Sequence, residues 1–215
     1  MVDKPAGVST SGRSLDDPSC VQAALIAHFG RMAWAVHQLD RDTSGVNFFV
    51  TKRSLVPLWQ ERLRFPSAQK TYVALCHGSP AFEALRLEAP IGYVERGAFR
   101  GQAVTADGQR ATTRVSVARR AADGAASAVL CTLETGRTHQ IRVHLAHLGH
   151  PLFGEPWYAE PPCERHWRHA LHAARVSLRE SISPTGPSAL RAPISSDLLE
   201  LGRSLGLGDL SDLAG

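Results

Sequence analysis

The sequence predicts an α+β fold with a mixed or antiparallel sheet, and three observations predict it. Strand-like runs are interleaved with few helical stretches, 215 residues suffice for one sizeable core, and neither an internal repeat nor a low-complexity linker divides the chain. Residues 18–29 read as a short helix, with Asp17 placed to cap it and Val21, Leu25 and Ile26 on one face. Val46–Thr51 is strand-like. Leu55, Leu58, Trp59 and Leu63 fall at helical spacing until Phe65-Pro66 stops the run, and Thr71–His77 then alternates into a strand. From Pro80 to Arg120 the pattern weakens into short strand-like pieces and Gly-bearing turns such as Asp107-Gly108. Ala128–Leu133 reads as a strand, Glu134-Thr135-Gly136 as a turn, and Thr138 as the cap of a helix whose apolar face is Ile141, Leu145 and Leu148. Gly149 and Pro151 end that helix in the expected order. Val176–Leu178 with the Pro184-Thr185-Gly186 turn predicts a late hairpin, and Ala192-Pro193 leads into a terminal helix near Asp197–Leu205.

Composition narrows the function classes. Lys and Arg number 24 against 20 Asp and Glu, a formal charge of +4. That charge is uneven: Arg96, Arg100, Arg110, Arg114, Arg119 and Arg120 crowd one stretch, Arg137 to Arg179 is rich in Arg and His, and the tail after Asp197 is acidic. Such asymmetry suits a polyanion bound on one face, although a solvated basic surface would have the same composition. Cys20, Cys76, Cys131 and Cys163 form no Cys-x-x-Cys pair, so no zinc knuckle or redox motif is indicated. Cys76 and Cys131 lie in strand-like runs as buried thiols, and a reducing compartment is the simplest expectation. No apolar run approaches the roughly 18 residues of a membrane span, and no secretory signal opens the chain.

The stretch with most chemical content is His37-Gln38-Leu39-Asp40-Arg41-Asp42-Thr43-Ser44-Gly45, a polar loop with two carboxylates delivered onto the apolar run Val46-Asn47-Phe48-Phe49-Val50. A loop of this kind presents a reactive side chain from a rigid scaffold. Three further segments accompany it: Lys70-Thr71-Tyr72-Val73-Ala74-Leu75, Thr135-Gly136-Arg137-Thr138-His139-Gln140-Ile141-Arg142-Val143-His144, and Leu171-His172-Ala173. In this order and at these separations they resemble the RluA family of pseudouridine synthases. Asp3-Lys4-Pro5-Ala6-Gly7 is similar to the family's Asp-Lys-Pro-x-Gly opening, and Ala111-x-Thr113 matches a landmark on an antiparallel strand. The resemblance implies a central, mostly antiparallel sheet flanked by helices, with an active-site cleft across it. The expectation is one catalytic domain over residues 1–215, with no S4-type RNA-binding domain before it, acting as a monomer in the cytoplasm, or in an organelle if a targeting segment precedes it.

Isomerising uridine breaks a glycosidic bond, turns the freed uracil and rejoins it through carbon. The resemblance implies neither cofactor nor metal for this, and a carboxylate nucleophile suits it, working at the pyrimidine ring or at the sugar carbon. The family motif places that nucleophile at Asp40; Asp42 is the competing carboxylate, with a turn role as its simpler reading. The family's arginine falls at Arg142, where a guanidinium keeps a partly buried carboxylate ionised. Tyr72 is implied to stack on the extracted uracil and to help remove the ring proton, although a phenol of pKa near 10 is a poor base without assistance. RNA contacts are expected from Gln38, Arg41, Lys70, Arg96, Arg100, Arg110, Arg137 and His139. Gln38 stands where the family usually has arginine, which removes a charge and a flat cationic surface from the RNA contact.

Two rival readings belong to other classes. The first is an RNA-binding protein on the same fold without catalysis. The second is a metal-dependent hydrolase using His139, His144, His147, His150, His166, His169 and His172, for which no His-Glu-x-x-His motif is present. A serine hydrolase built on Ser44 lacks the Gly-x-Ser-x-Gly elbow.

Overall fold

The computed structural model describes residues 1–12, 17–163, 165–179 and 188–215, and of Arg96 the backbone alone. In chain order its elements are β1 (Val2–Lys4), α1 (Val21–Phe29), β2 (Trp34–Ala35), β3 (Ser44–Asn47), β4 (Phe49–Val50), α2 (Val56–Arg62), β5 (Ala68–His77), β6 (Ala84–Glu88), β7 (Ile91–Arg96), β8 (Phe99–Val104), β9 (Thr112–Arg120), β10 (Ala126–Leu133), α3 (Gln140–His147), β11 (Leu171–Leu178), β12 (Ala189–Arg191) and α4 (Ser196–Ser204). The main sheet runs β1-β3-β11-β5-β10-β9-β6, with β12 also paired to β11. Its pairings are antiparallel except β3 with β11, so the α+β expectation holds.

The central strand β5 is buried on both faces, and its alternation sorts two cores. Val73 and Leu75 join Phe153 and, on α4, Leu198 and Leu201. Tyr72, Ala74 and Cys76 face Ile141 and Leu145 of α3. Helix α3 therefore covers one face of the sheet and α4 the other. Burial raises the Cys76 thiol to about 12 and pushes Cys131 up as well, so both are inert.

Register places the site. Ala173 on β11 lies between Gly45 on β3 and Tyr72 on β5. Gly45 has a φ of 108°, and a Cβ there would run into the Ala173 carbonyl; only glycine lets β3 approach so closely. The loop carrying Asp40 thus enters the sheet next to Tyr72.

Several local expectations are corrected. Helix α1 begins at Val21, and its N-cap is Cys20, whose sulfur accepts from the Ala23 N–H. Asp17 instead accepts from the backbone and hydroxyl of Ser19. The Val46–Thr51 run is two strands broken at Phe48, because β3 pairs with β1 and β11 while β4 pairs with β2. Helix α3 is capped by His139, not Thr138, and the Gln140 side chain takes over the capping task by accepting from the Arg137 N–H at 3.0 Å. Its end is as expected: the Gly149 N–H bonds to the Ala146 carbonyl and the His150 N–H to that of Leu145, a Schellman closure. The late hairpin appears as β11 paired with β12, while its turn at Pro184-Thr185-Gly186 lies outside the described residues.

His172 is fully buried between the Ser44 hydroxyl, 2.9 Å from Nδ1, and the Ala192 carbonyl, 3.3 Å from Nε2. Burial lowers its pKa from 6.5 to about 4. The unfolded chain therefore binds this proton between pH 6.5 and 4 while the folded chain does not, so stability rises with pH across that window and is lost as pH falls through it. Lowering the pH from 7 to 5 should cost about 2 kcal/mol through this one group and lower the Tm by roughly 4–8 °C in thermal unfolding. A Tm unchanged over that range would contradict the buried neutral imidazole.

Candidate active site

Asp40 sits on the loop between β2 and β3, and two buried cations hold the backbone beside it. Lys4 of β1, with no exposed surface, donates to the carbonyls of Arg41 at 2.8 Å, Pro5 at 2.9 Å and Val8 at 2.7 Å. Burial lowers its pKa to about 8, against the pull of Asp42 and Asp40. Arg168 donates to the Asp42 carbonyl at 2.9 Å and to the Ser44 hydroxyl at 3.2 Å, and grips Asp197 at the start of α4 at 2.7 and 3.1 Å. The Asp40 carbonyl accepts from the Thr43 N–H at 3.1 Å, closing the turn. Lys4, Arg168 and this turn thus fix the chain that follows the carboxylate.

That carboxylate meets Arg142, 102 residues away, at 3.1 Å. Arg142 is only 3% exposed, anchored on α3 between the buried Ile141 and Val143. A buried guanidinium needs more than one partly exposed partner. Glu155, fully buried, supplies the second: Arg142 Nε and Nη2 donate to its two oxygens at 2.8 Å each, a bidentate pair. Glu155 also accepts from the backbone N–H groups of Trp157 at 3.0 Å and Tyr158 at 3.3 Å. Burial pulls the Arg142 pKa down, but bonding to Glu155 and then Asp40 outweighs it and raises it. Arg142 therefore holds a permanent charge at Asp40. The preceding Gly154, with φ 69°, lies so close to the Arg168 carbonyl that a Cβ would collide with it. Glycine there brings Glu155 inward.

Around this pair stand three rings. The Arg142 guanidinium lies 5.2 Å from the Trp157 ring centre and 5.1 Å from that of Tyr158. His139 hydrogen-bonds through Nδ1 to the Tyr158 hydroxyl at 2.6 Å, and its Nε2 is 3.8 Å from Asp40. His139 has φ 55°, a left-handed conformation costly for a non-glycine residue and common at functional sites. Burial lowers its pKa despite the opposing charge of Asp40.

A cavity of about 850 Å³ opens here, lined among others by Asp40, Tyr72, Arg137, His139 and Arg142, and floored by Leu39, Leu133, Ile141 and Leu171. An apolar floor with converging polar groups suits a flat heterocycle bearing hydrogen-bonding edges. Tyr72 is buried, and burial followed by the Asp40 charge raises its pKa above the ordinary phenol value. Its ring can stack. Its hydroxyl is less able than a free phenol to act as a base.

The expected RNA-contact residues divide by place. Gln38 is exposed at the cavity, bonded to Ser11 at 3.0 Å, and Lys70 lines the same wall. Arg41 is exposed and donates to the Gly7 carbonyl at 2.9 Å. Arg137 reaches the Arg110 carbonyl at 3.0 Å and the Gln109 side chain at 2.6 Å, so Arg110 and Arg137 share one rim. Arg100 lies on the β7–β8 hairpin, exposed and 4.0 Å from Glu95; the side chain of Arg96, on the same hairpin, lies outside the description. The rest of the Arg-rich stretch is ion-paired: Arg114 with Glu134, Arg119 with Asp212 and Arg120 with Glu83.

The rival constellations fare as follows. Asp42 does not line the cavity, and Arg142 bonds Asp40. The histidines are engaged separately: His144 with Thr113 and the Ala89 carbonyl, His169 with Thr43, His166 with Asp197. Among the described residues no three His, Cys, Asp or Glu side chains converge as metal ligands. Ser44 does meet His172, but both are buried, and Nε2 of that histidine is turned to a backbone carbonyl. Sequence reasoning missed Glu155, Tyr158, Lys4 and Arg168. Charge balance was a usable signal for the first, since an arginine flanked by core residues on a buried helix requires a buried carboxylate.

Comparison with known proteins gives a consistent outcome. Residues 1–147 match the family described as RNA pseudouridylate synthase. The chain is 34% identical over 212 residues to an uncharacterised RNA pseudouridine synthase of Bacillus subtilis, covering 95% of this chain and 68% of that protein. It is 34% identical over 221 residues to ribosomal large subunit pseudouridine synthase D of Neisseria meningitidis, covering 94% and 57%. With ribosomal large subunit pseudouridine synthase C of Yersinia pestis the identity is 31% over 205 residues, covering 92% and 63%. The chain thus spans between 57% and 68% of the length of these relatives. The solved structure of human RNA pseudouridylate synthase domain containing 4 superposes with a TM-score of 0.72 at 20% identity, covering 94% of this chain and 88% of that one, a likeness of fold.

Proposed function

The chain belongs to the RNA pseudouridylate synthase family, and from that membership we propose that it isomerises uridine to pseudouridine in ribosomal or transfer RNA, with Asp40 as nucleophile. The observation that carries this reading is the 3.1 Å contact between Asp40 and the buried Arg142 at the wall of a cavity with room for a base. The C1′–N1 bond breaks, a C1′–C5 bond forms, and the ring loses a proton at C5 and gains one at N1. This is redox-neutral and needs no external electron carrier. A carboxylate bonded to Arg142 can attack the ring or serve at the sugar, and the ring of Tyr72 stacks on the uracil while it turns.

Extracting the base from its stack costs a few kcal/mol, which contacts to phosphates and neighbouring bases must offset. The proposed path for the RNA backbone runs from Gln38, Arg41 and Lys70 past Arg137, His139 and Arg110 to the hairpin with Arg96 and Arg100. Exposed charges of this kind release counterions on binding. Arg100→Ala and Arg110→Ala should each weaken binding of 23S rRNA fragments and reduce the slope of log K against log salt by roughly 0.7–0.9, read in filter-binding titrations. Unchanged slopes would remove these residues from the path. Among the described residues no helix is long and apolar enough to cross a membrane. We place the protein in the cytoplasm, a reading that the four free cysteines Cys20, Cys76, Cys131 and Cys163 support.

The reading is tested by incubating the protein with unmodified 23S rRNA and tRNA transcripts and mapping carbodiimide-dependent stops of reverse transcriptase. A new stop at a discrete uridine is expected. Transcripts that are bound but unaltered at every uridine would favour a binding protein without catalysis.

A further inference from the structure

We propose that Trp157 is the stacking platform for a second unpaired nucleobase, a neighbour of the uridine entering the cavity; this rests on the RNA reading above. The residue is 56% exposed, a large apolar surface left in water. Other large apolar side chains are as exposed, among them Phe29, Leu58 and Trp167, but Trp157 alone of these packs on the guanidinium that holds Asp40, with Arg142 5.2 Å from its ring centre.

The indole also packs against neighbouring rings, on a backbone tied to the core. Its backbone N–H is bonded to the buried Glu155 at 3.0 Å, the Tyr158 ring meets it edge-on at 84° and 6.4 Å, and His139 lies 5.2 Å away. A flat ring packed in this way, with a cation on one face and solvent beyond, loses less entropy than a free side chain when a base settles on it. Arg142 touches both this ring, 5.2 Å from its centre, and the reacting carboxylate at 3.1 Å. A base unstacked when its neighbour leaves needs a new partner at this spot, and stacking accepts any base because every base has a π-face.

The alternative role is a cover that keeps water from the Arg142–Glu155 pair. Two substitutions separate the roles, since Trp157→Leu keeps an apolar cover without a π-face and Trp157→Phe keeps both. Steady-state tritium release from 23S rRNA and tRNA transcripts labelled at uridine C5 should show the apparent KM of Trp157→Leu raised about 5- to 100-fold, with a much smaller change in kcat. Trp157→Phe should recover most of the loss. An unchanged KM in Trp157→Leu, or a loss confined to kcat, would overturn the proposal. A second readout does not depend on turnover. In Trp34→Phe/Trp59→Phe/Trp167→Phe, where Trp157 is the sole indole, emission should be quenched on adding these transcripts, and bound RNA without quenching would overturn the stacking. A wild type that released no tritium would refute the reaction, while the emission would still report on the platform.

Discussion

Asp40→Asn is expected to leave RNA binding within about twofold of wild type and to reduce tritium release from uridine-C5-labelled RNA by at least roughly three orders of magnitude. The amide has the size of the carboxylate and can still accept from Arg142, and Arg142 keeps its bidentate bond to Glu155, so the fold should survive. What disappears is the negative charge and the electron pair that form a covalent bond or take a proton. Removing a carboxylate from beside phosphates also relieves repulsion, so affinity should if anything rise. Asp42→Asn serves as the comparison: that residue lies outside the cavity, and its activity should fall no more than about tenfold. If Asp42→Asn lost as much as Asp40→Asn, the role of Asp40 would be wrongly placed.

The second large effect is expected at Glu155. Glu155→Gln replaces two acceptor oxygens with one and turns an NH₂ group toward the Arg142 donors, leaving a buried guanidinium with Asp40 as its remaining counter-charge. Breaking a buried pair in this way costs about 3–5 kcal/mol, so the Tm should fall by roughly 6–20 °C. Activity should fall as well, because without the bidentate grip of Glu155 the Arg142 guanidinium would no longer be held at one angle to Asp40. The loss should lie in kcat more than KM, since Glu155 itself is buried away from RNA. Glu155→Asp keeps the charge on a shorter arm and should recover part of both losses. A fully active Glu155→Gln, or a Glu155→Asp no better than Gln, would mean that Arg142 does not depend on this partner.

The sequence made the centre of the sheet legible because its strands are continuous apolar runs closed by strong turn signals. Helix α3 was legible from Ile141, Leu145 and the Gly149 stop. Its start was not, because the cap position falls on His139 in a left-handed conformation, one residue after Thr138, and the capping bonds come from Gln140 inside the helix. Cys20 was invisible as a cap since thiols rarely take that position. Asp40, Tyr72 and Arg142 were named through a family resemblance, as nothing in spacing alone joins residues 102 apart. The side chains that resemblance did not name are those held by long-range burial: Glu155 behind Arg142, and Lys4 and Arg168 beneath the loop. In a linear reading a lysine next to proline or an arginine beside tryptophan looks like solvated surface. Only the folded sheet turns them inward, onto the carbonyls of Arg41 and Asp42.

The measurement that bears most directly on the central claim is single-turnover tritium release by the wild-type protein from 23S rRNA and tRNA transcripts labelled at uridine C5, with enzyme in excess. The account predicts release that plateaus at a whole number of uridines per transcript. Transcripts that the protein binds but that keep all their tritium would contradict it.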